Sequence, residues 1–308
     1  DMNATHKICL LLLCLASLTG CRYTFDIEDN GLKPCLCMKA YICADSLTTI
    51  DVYKAVPVQS AGKADMNLVS PSYSLKRNGK EVEASSEEIA DYGISLQCEE
   101  FKEGDKLELT FSADGLETAV ATTSIPGLFP EFTYRTYKDE YGDNCISIDY
   151  KDDKDSKDYY GISIETRRTA TVHPGHEPLV FYGYASPPND HNDLSLDHFA
   201  YSPAVSYFGD GAIYIWADDD HADDTYEVIY TTSDTSSENS ELAIRLHLFK
   251  LSREMYYHLY AEYDSSYNPF SYTGFSSPSF AYCNVMKGCG YFCAYSKDHS
   301  EWITIDKE

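Results

Sequence analysis

The stretch Tyr73-Ser74-Leu75-Lys76-Arg77-Asn78-Gly79-Lys80 alternates in character and then runs into Asn-Gly. Alternation with a period of two belongs to a strand with one face buried, and Asn-Gly is the strongest short signal for a tight hairpin. The same pattern extends outward in both directions. Upstream, Cys35, Cys37, Lys39, Tyr41 and Cys43 share one face of a strand, while Leu36, Met38, Ala40 and Ile42 take the other. Residues 48–58 form a second strand rich in β-branched side chains. Downstream, residues 92–98, 106–111 and 116–124 read as strands, with turns at Glu103-Gly104-Asp105 and Asp114-Gly115. Short strands with turn residues at this spacing predict an immunoglobulin-like β-sandwich over residues 34–126. Ile125-Pro126-Gly127 is its natural end.

The fold class expected for the whole chain is all-β. Residues 127–308 read as a larger β domain, with strands at 132–137, 145–150, 159–166, 212–216, 225–231 and 242–250. Acidic, polar loops separate them. One helix is expected after Leu251, with Ser252 as its N-cap and Met255, Leu259 and Tyr263 at helical spacing. It should stop near Asn268-Pro269, and residues 302–305 form a last strand. The 27 tyrosines suit a β-rich protein. A chain of 308 residues exceeds the usual size of one domain, so two are expected.

The N-terminal end reads differently. Lys7 precedes an apolar run, Ile8 to Ala16, that ends in Leu18-Thr19-Gly20-Cys21. The run is shorter than the roughly 18–20 residues a bilayer span requires, so residues 1–20 read as a signal peptide. The order Leu-x-Gly-Cys is a bacterial lipobox, with Cys21 as the residue to be lipidated; an ordinary secretion signal is the competing reading. Two or more acyl chains anchor a protein stably to a membrane. Residues 21–33 form a polar tether carrying Asp26, Glu28 and Asp29, similar to the acidic stretch that directs Bacteroidota lipoproteins to the cell surface.

Fifty acidic and 24 basic residues leave a net charge of −26. That argues against nucleic acid and anionic lipid as partners, since both need a positive footprint. Past the signal the cysteines are Cys35, Cys37, Cys43, Cys98, Cys145, Cys283, Cys289 and Cys293. In an exported protein they are candidates for disulfides, with pairing that spacing cannot decide.

Several clusters could carry chemistry. Asp218, Asp220, Asp223 and Asp224 offer hard oxygen ligands to calcium, the one cofactor the sequence suggests, although the run lacks the EF-hand spacing and also reads as a solvated turn. Asp152, Asp153, Asp155 and Asp158 are interleaved with lysines. His173, His176, His191 and His198 could hold a metal or simply be exposed. Cys283, Cys289 and Cys293 could bind zinc, but disulfides fit an exported chain better. The sequence holds no G-x-S-x-G, H-E-x-x-H or S-x-x-K motif, so no catalytic residue is expected. Tyr182, Tyr184, Tyr201, Tyr207, Phe208, Tyr267, Phe270, Tyr272 and Phe275 could make a stacking platform for a glycan or peptide, or fill a sheet core.

Four landmarks together resemble a known family: Cys21 with its acidic tether; Pro34 to Tyr41; Phe101-Lys102-Glu103-Gly104-Asp105 leading to Thr123-Ser124-Ile125-Pro126; and the C-terminal series of strand 246–250, helix with Tyr256 and Tyr257, and Gly288 to Ser296. In that order they are similar to the Bacteroidota outer-membrane lipoproteins known as domain of unknown function 4249. Cys35, Cys37, Cys289 and Cys293 depart from that pattern, standing where small or aliphatic residues are usual. The resemblance implies a lipid-anchored outer-membrane protein encoded near TonB-dependent transporters, with no established activity. The expectation is a non-enzymatic accessory that captures a nutrient or docks on such a transporter. The alternative is a surface adhesin that binds a protein or glycan without import.

Overall fold

The computed structural model describes residues 33–57, 64–89, 93–138, 144–151, 156–171, 177–184, 198–200, 213–217, 225–232, 240–267 and 282–305. The protein is all-β, with one helix among the described residues. The first half contributes β1 (Cys35–Cys43), β2 (Thr48–Ala55), β3 (Ser72–Arg77), β4 (Lys80–Val82), β5 (Ala84–Ile89), β6 (Gly93–Cys98), β7 (Lys106–Ser112) and β8 (Ala119–Ser124). Then follow β9 (Phe132–Lys138), β10 (Asn144–Lys151), β11 (Tyr159–Ala170), β12 (Leu179–Tyr184), β13 (His198–Ala200), β14 (Ile213–Ala217), β15 (Thr225–Thr232) and β16 (Ser240–Leu251). Helix α1 (Arg253–Tyr267) precedes β17 (Val285–Met286), β18 (Gly288–His299) and β19 (Ile303–Ile305).

Asn78 and Gly79 form the turn between β3 and β4. Arg77 pairs with Lys80, leaving a two-residue loop whose residues have φ of 53° and 79°. Both angles are left-handed, as the twist-matched hairpin turn demands. The Asn78 side chain also donates to Asp105 (2.7 Å) and accepts from the Lys106 backbone (2.9 Å), tying this turn to the next one.

One eleven-stranded sheet runs β13-β14-β11-β16-β18-β1-β2-β6-β5, with β12 beside β11 and β19 beside β16. A five-stranded sheet, β17-β8-β7-β3-β4, covers one end of it. Their shared core joins Leu36, Met38, Ile50, Val52 and Leu96 to Leu75, Leu109, Phe111 and Ala121. The alternation read in β1 is the one observed, with its even-numbered residues buried in this core. A three-stranded sheet, β15-β10-β9, covers the other end, burying Ile146, Ile148 and Tyr150 against Ile162, Leu246 and Trp216. Helix α1 lies on the opposite face, where Met255 and Leu259 are fully buried with Phe249, Ile215 and Cys293. Each such side chain contributes about 2 kcal/mol through burial. The strand β14 and the first half of β11 are covered on both faces, which explains their unbroken apolar character.

The segment from Gly288, for which the sequence predicts no strand, is a twelve-residue strand. It inserts between β16 and β1 and pairs with β1 in parallel, Leu36 opposite Gly288 through Cys43 opposite Tyr295. Val285, Phe292 and Ala294 thereby enter the core of the sandwich formed by the first half of the chain. Asn284 fastens this insertion: its amide donates to the carbonyls of Phe292 (2.9 Å) and Thr122 (3.2 Å) and accepts from the Phe292 backbone (2.9 Å).

Ser252 caps α1 as its position suggests. Its Oγ accepts from the Met255 backbone at 3.1 Å and from the Ala294 backbone at 3.2 Å. Because the cap also holds β18, Ser252→Ala should cost about 2 kcal/mol, above the typical value for a cap alone. Urea unfolding checks this, and a loss below about 0.5 kcal/mol would mean that the two bonds carry nothing.

Candidate binding surface

Beside the second half of β11, the strand β12 is an edge of the large sheet among the described residues. The second half of β11 pairs with β12, Glu165 opposite Tyr184 through Ala170 opposite Leu179, and among the described residues β12 has no other strand neighbour. Four successive apolar residues there are open to solvent: Leu179 is 52% exposed, Val180 47%, Phe181 54% and Tyr182 66%. Successive strand residues point to opposite faces, so both faces of this edge are apolar. An exposed apolar edge strand is something folded proteins normally avoid unless a partner covers it.

Beside β12 the surface is built from aromatic and guanidinium groups. Tyr182 lies 6.2 Å from the Trp302 ring, and the guanidinium carbons of Arg167 and Arg245 sit 4.5 and 4.4 Å from the same ring. Arg167 arrives there because it pairs with Tyr182 across β11 and β12, and Arg245 because β16 is the next strand over. Glu165 supplies the counter-charge, 3.8 Å from Arg245 and 3.1 Å from His247. Burial lowers the His247 pKa and outweighs the opposing effect of Glu165. Tyr, Trp and Arg together are the residue types on which protein interfaces concentrate their binding energy.

A second feature lies under α1. Tyr41 of β1 and Tyr291 of β18 stack at 4.6 Å, and His258 of α1 stacks on Tyr291 at 4.2 Å. The His258 Nε2 is 2.6 Å from the Tyr41 hydroxyl and 3.5 Å from Glu262. Burial depresses the His258 pKa to about 4 and, with the neighbouring Tyr291 and Glu262, pushes the Tyr41 phenol well up. At neutral pH both groups therefore stay uncharged, and the pair works as a hydrogen-bonded packing element. A groove of about 290 Å³ opens beside it, lined among others by Lys39, Tyr41, Asp51, Tyr291 and Lys297. That is at the small end of the range for ligand sites.

Of the residues singled out in the sequence, Tyr182 is on the exposed edge and Tyr184 is half-buried at the end of the same strand. Asp158 forms an ion pair with Lys250 at 2.8 Å. Cys21, Asp218, Asp220, Asp223 and Asp224 lie outside the described residues, as do Asp152, Asp153, Asp155, His173, His176, His191, Tyr201, Tyr207, Phe208, Phe270, Tyr272 and Phe275. His198 and Tyr267 fall in elements whose side chains are not described. Among the described residues, no three ligating side chains are placed to hold a metal ion. No disulfide joins the eight cysteines from Cys35 onward; Cys35, Cys37 and Cys289 gather on one face, whereas Cys283 is exposed. Sequence reading missed Phe181, Arg167, Arg245 and Trp302. The apolar run 179–182 and one of only two tryptophans were visible signals, but nothing local says that they meet at a sheet edge.

A family model described as a domain of unknown function (DUF4249) matches residues 22–301. Among solved structures, the chain is similar to that of the Yersinia pseudotuberculosis adhesin InvE, at 12% identity and a TM-score of 0.20. The match covers 71% of this chain and 56% of that one, so this chain spans little more than half of its length. A likeness at that level carries no argument about function. No curated protein matches the chain.

Proposed function

The chain belongs to the family described as domain of unknown function DUF4249, and on that premise we propose that it is a lipid-anchored outer-membrane accessory that docks on a protein partner through β12. The partner in this reading is a TonB-dependent transporter, and the role is non-enzymatic. The observation that carries it is the strand β12, an edge among the described residues, with Leu179 to Tyr182 exposed beside the Arg167–Trp302–Arg245 cluster. A partner strand added to β12 would satisfy its open backbone edge and cover its apolar side chains. The guanidiniums would favour an acidic rim on the partner, an unusual preference for a chain of net charge −26. The lipobox at Cys21 and the acidic tether support the anchoring half of the proposal.

The test is a mild-detergent pull-down of the full-length protein from its native outer membrane, with partners identified by mass spectrometry. A stoichiometric TonB-dependent transporter is expected, and Tyr182→Asp with Phe181→Asp should reduce its recovery at least about tenfold. Recovery of the chain alone overturns transporter docking and leaves the surface-adhesin reading. A transporter retained unchanged by the double variant keeps the partner but removes β12 as its site.

A further inference from the structure

Cys37 and Cys289 are directly opposed in the parallel register of β1 and β18, and Cys35 lies two residues along the same face. The Sγ atoms of Cys35 and Cys289 are 3.8 Å apart, between residues separated by 254 positions in sequence. Cys289 is also the neighbour that most lowers the Cys37 pKa. All three are free and half-buried. Neighbouring strands run about 4.8 Å apart, inside the Cα separation that a disulfide spans. Cys35 and Cys37 point in parallel from one strand and are poorly placed to pair with each other.

We propose that Cys37 and Cys289, with Cys35 beside them, form a thiol–disulfide exchange site that reacts with a disulfide oxidant and closes a covalent bond between β1 and β18. The electrostatics agree with this division of labour. The neighbouring Cys289 thiol, helped by the charge of Lys39 and opposed by burial, brings the Cys37 pKa down to about 7, so much of it is thiolate at neutral pH. Cys289 is pushed the other way, chiefly because it holds its proton against Cys37. Once Cys37 is consumed, that restraint on the Cys289 proton disappears.

In the first step the Cys37 thiolate attacks one sulfur of the oxidant; the oxidant's S–S bond breaks, a mixed disulfide forms at Cys37, and the departing thiolate takes a proton from solvent. Cys289 then gives up its proton and attacks the Cys37 sulfur of the mixed disulfide, expelling the second thiolate, which is protonated in turn. Two protein thiols are oxidised to one disulfide, and one oxidant disulfide is reduced to two thiols. The product pins the strand that follows the tether to the last long strand of the fold. Cys35, in contact with Cys289, is the third thiol and can take over the bond by exchange.

The test uses the full chain equilibrated without oxygen in mixtures of oxidised and reduced glutathione, quenched in acid, alkylated after unfolding and mapped by mass spectrometry. A Cys37–Cys289 cross-link is expected, retained in Cys35→Ser. In Cys37→Ser the link should move to Cys35–Cys289 and form about fivefold more slowly. Alkylation of all three thiols at the most oxidising mixture, or cross-links confined to Cys283, overturns the proposal. Native wild-type protein supplies a readout that no folding defect can blur: iodoacetamide should modify Cys37 with a pH midpoint near 7. A midpoint at 9 or above also overturns it.

Discussion

Gly290→Ala is expected to cost upwards of about 4 kcal/mol, enough to unseat β18 from the sheet. A Cβ at this position would overlap the Met38 carbonyl oxygen and lie 2.9 Å from its carbon, and both are backbone atoms. Met38 is fully buried in the sandwich core and cannot withdraw without opening it. The residue also has φ of +102°, which an L side chain adopts only at a cost of about 1–2 kcal/mol. Gly79→Ala is the control: its φ is +79°, but nothing lies within 4 Å of the added carbon. It should cost only about 1 kcal/mol. Urea-unfolding midpoints separate the two. Equal losses would mean that β18 does not approach β1 as closely as described. Unseating β18 should also remove Val285, Phe292 and Ala294 from the sandwich, so limited proteolysis should release fragments from both halves of the chain.

Acid should weaken the protein through His258. Its folded pKa of about 4 lies below the ordinary 6.5, so between those values the unfolded chain binds more protons. Stability therefore rises with pH across that window and is lost as pH falls through it. The difference amounts to about 3 kcal/mol for this one ring, which is only 4% exposed. Glu262 works in the opposite sense. Burial raises its pKa in the folded state, so it holds its proton better there and partly offsets the loss at low pH. Replacing His258 by Gln preserves a hydrogen-bond partner for Tyr41 and removes the titration. The expected result is a flatter stability profile for H258Q than for the wild type between pH 4.5 and 6.5, measured by urea unfolding. Parallel profiles would mean that the ring is not held neutral by burial.

The all-β class, the hairpin at Asn78-Gly79, the buried face of β1 and the helix start at Ser252 were all legible in the sequence, because each depends on residues within a few positions of one another. Period-two alternation, the left-handed tolerance of Asn-Gly and the hydroxyl of an N-cap are local signals. The binding surface was legible only in part. Tyr182 stood out as an aromatic, but its exposure depends on whether a neighbouring strand covers it.

Local pattern cannot reach the parallel pairing of β1 with β18. Those strands lie about 250 residues apart, and the contact arises only when the chain closes on itself. Gly288 and Gly290 are places where two backbones approach too closely for a Cβ. Cys289 and Tyr291, where the sequence predicts no strand, become with Cys37 and Tyr41 a thiol cluster and an aromatic stack. Trp302 meets Arg167 and Arg245 for the same reason, since long-range strand order alone brings those three positions together. The sequence by itself thus determined many of the strands, the Asn78-Gly79 turn and the buried face of β1, but not the strands β5, β12 and β18. The tertiary structure alone decided which strands are neighbours, because hydrogen bonds between strands are chemically alike at every position and only the packing of the whole core selects one order.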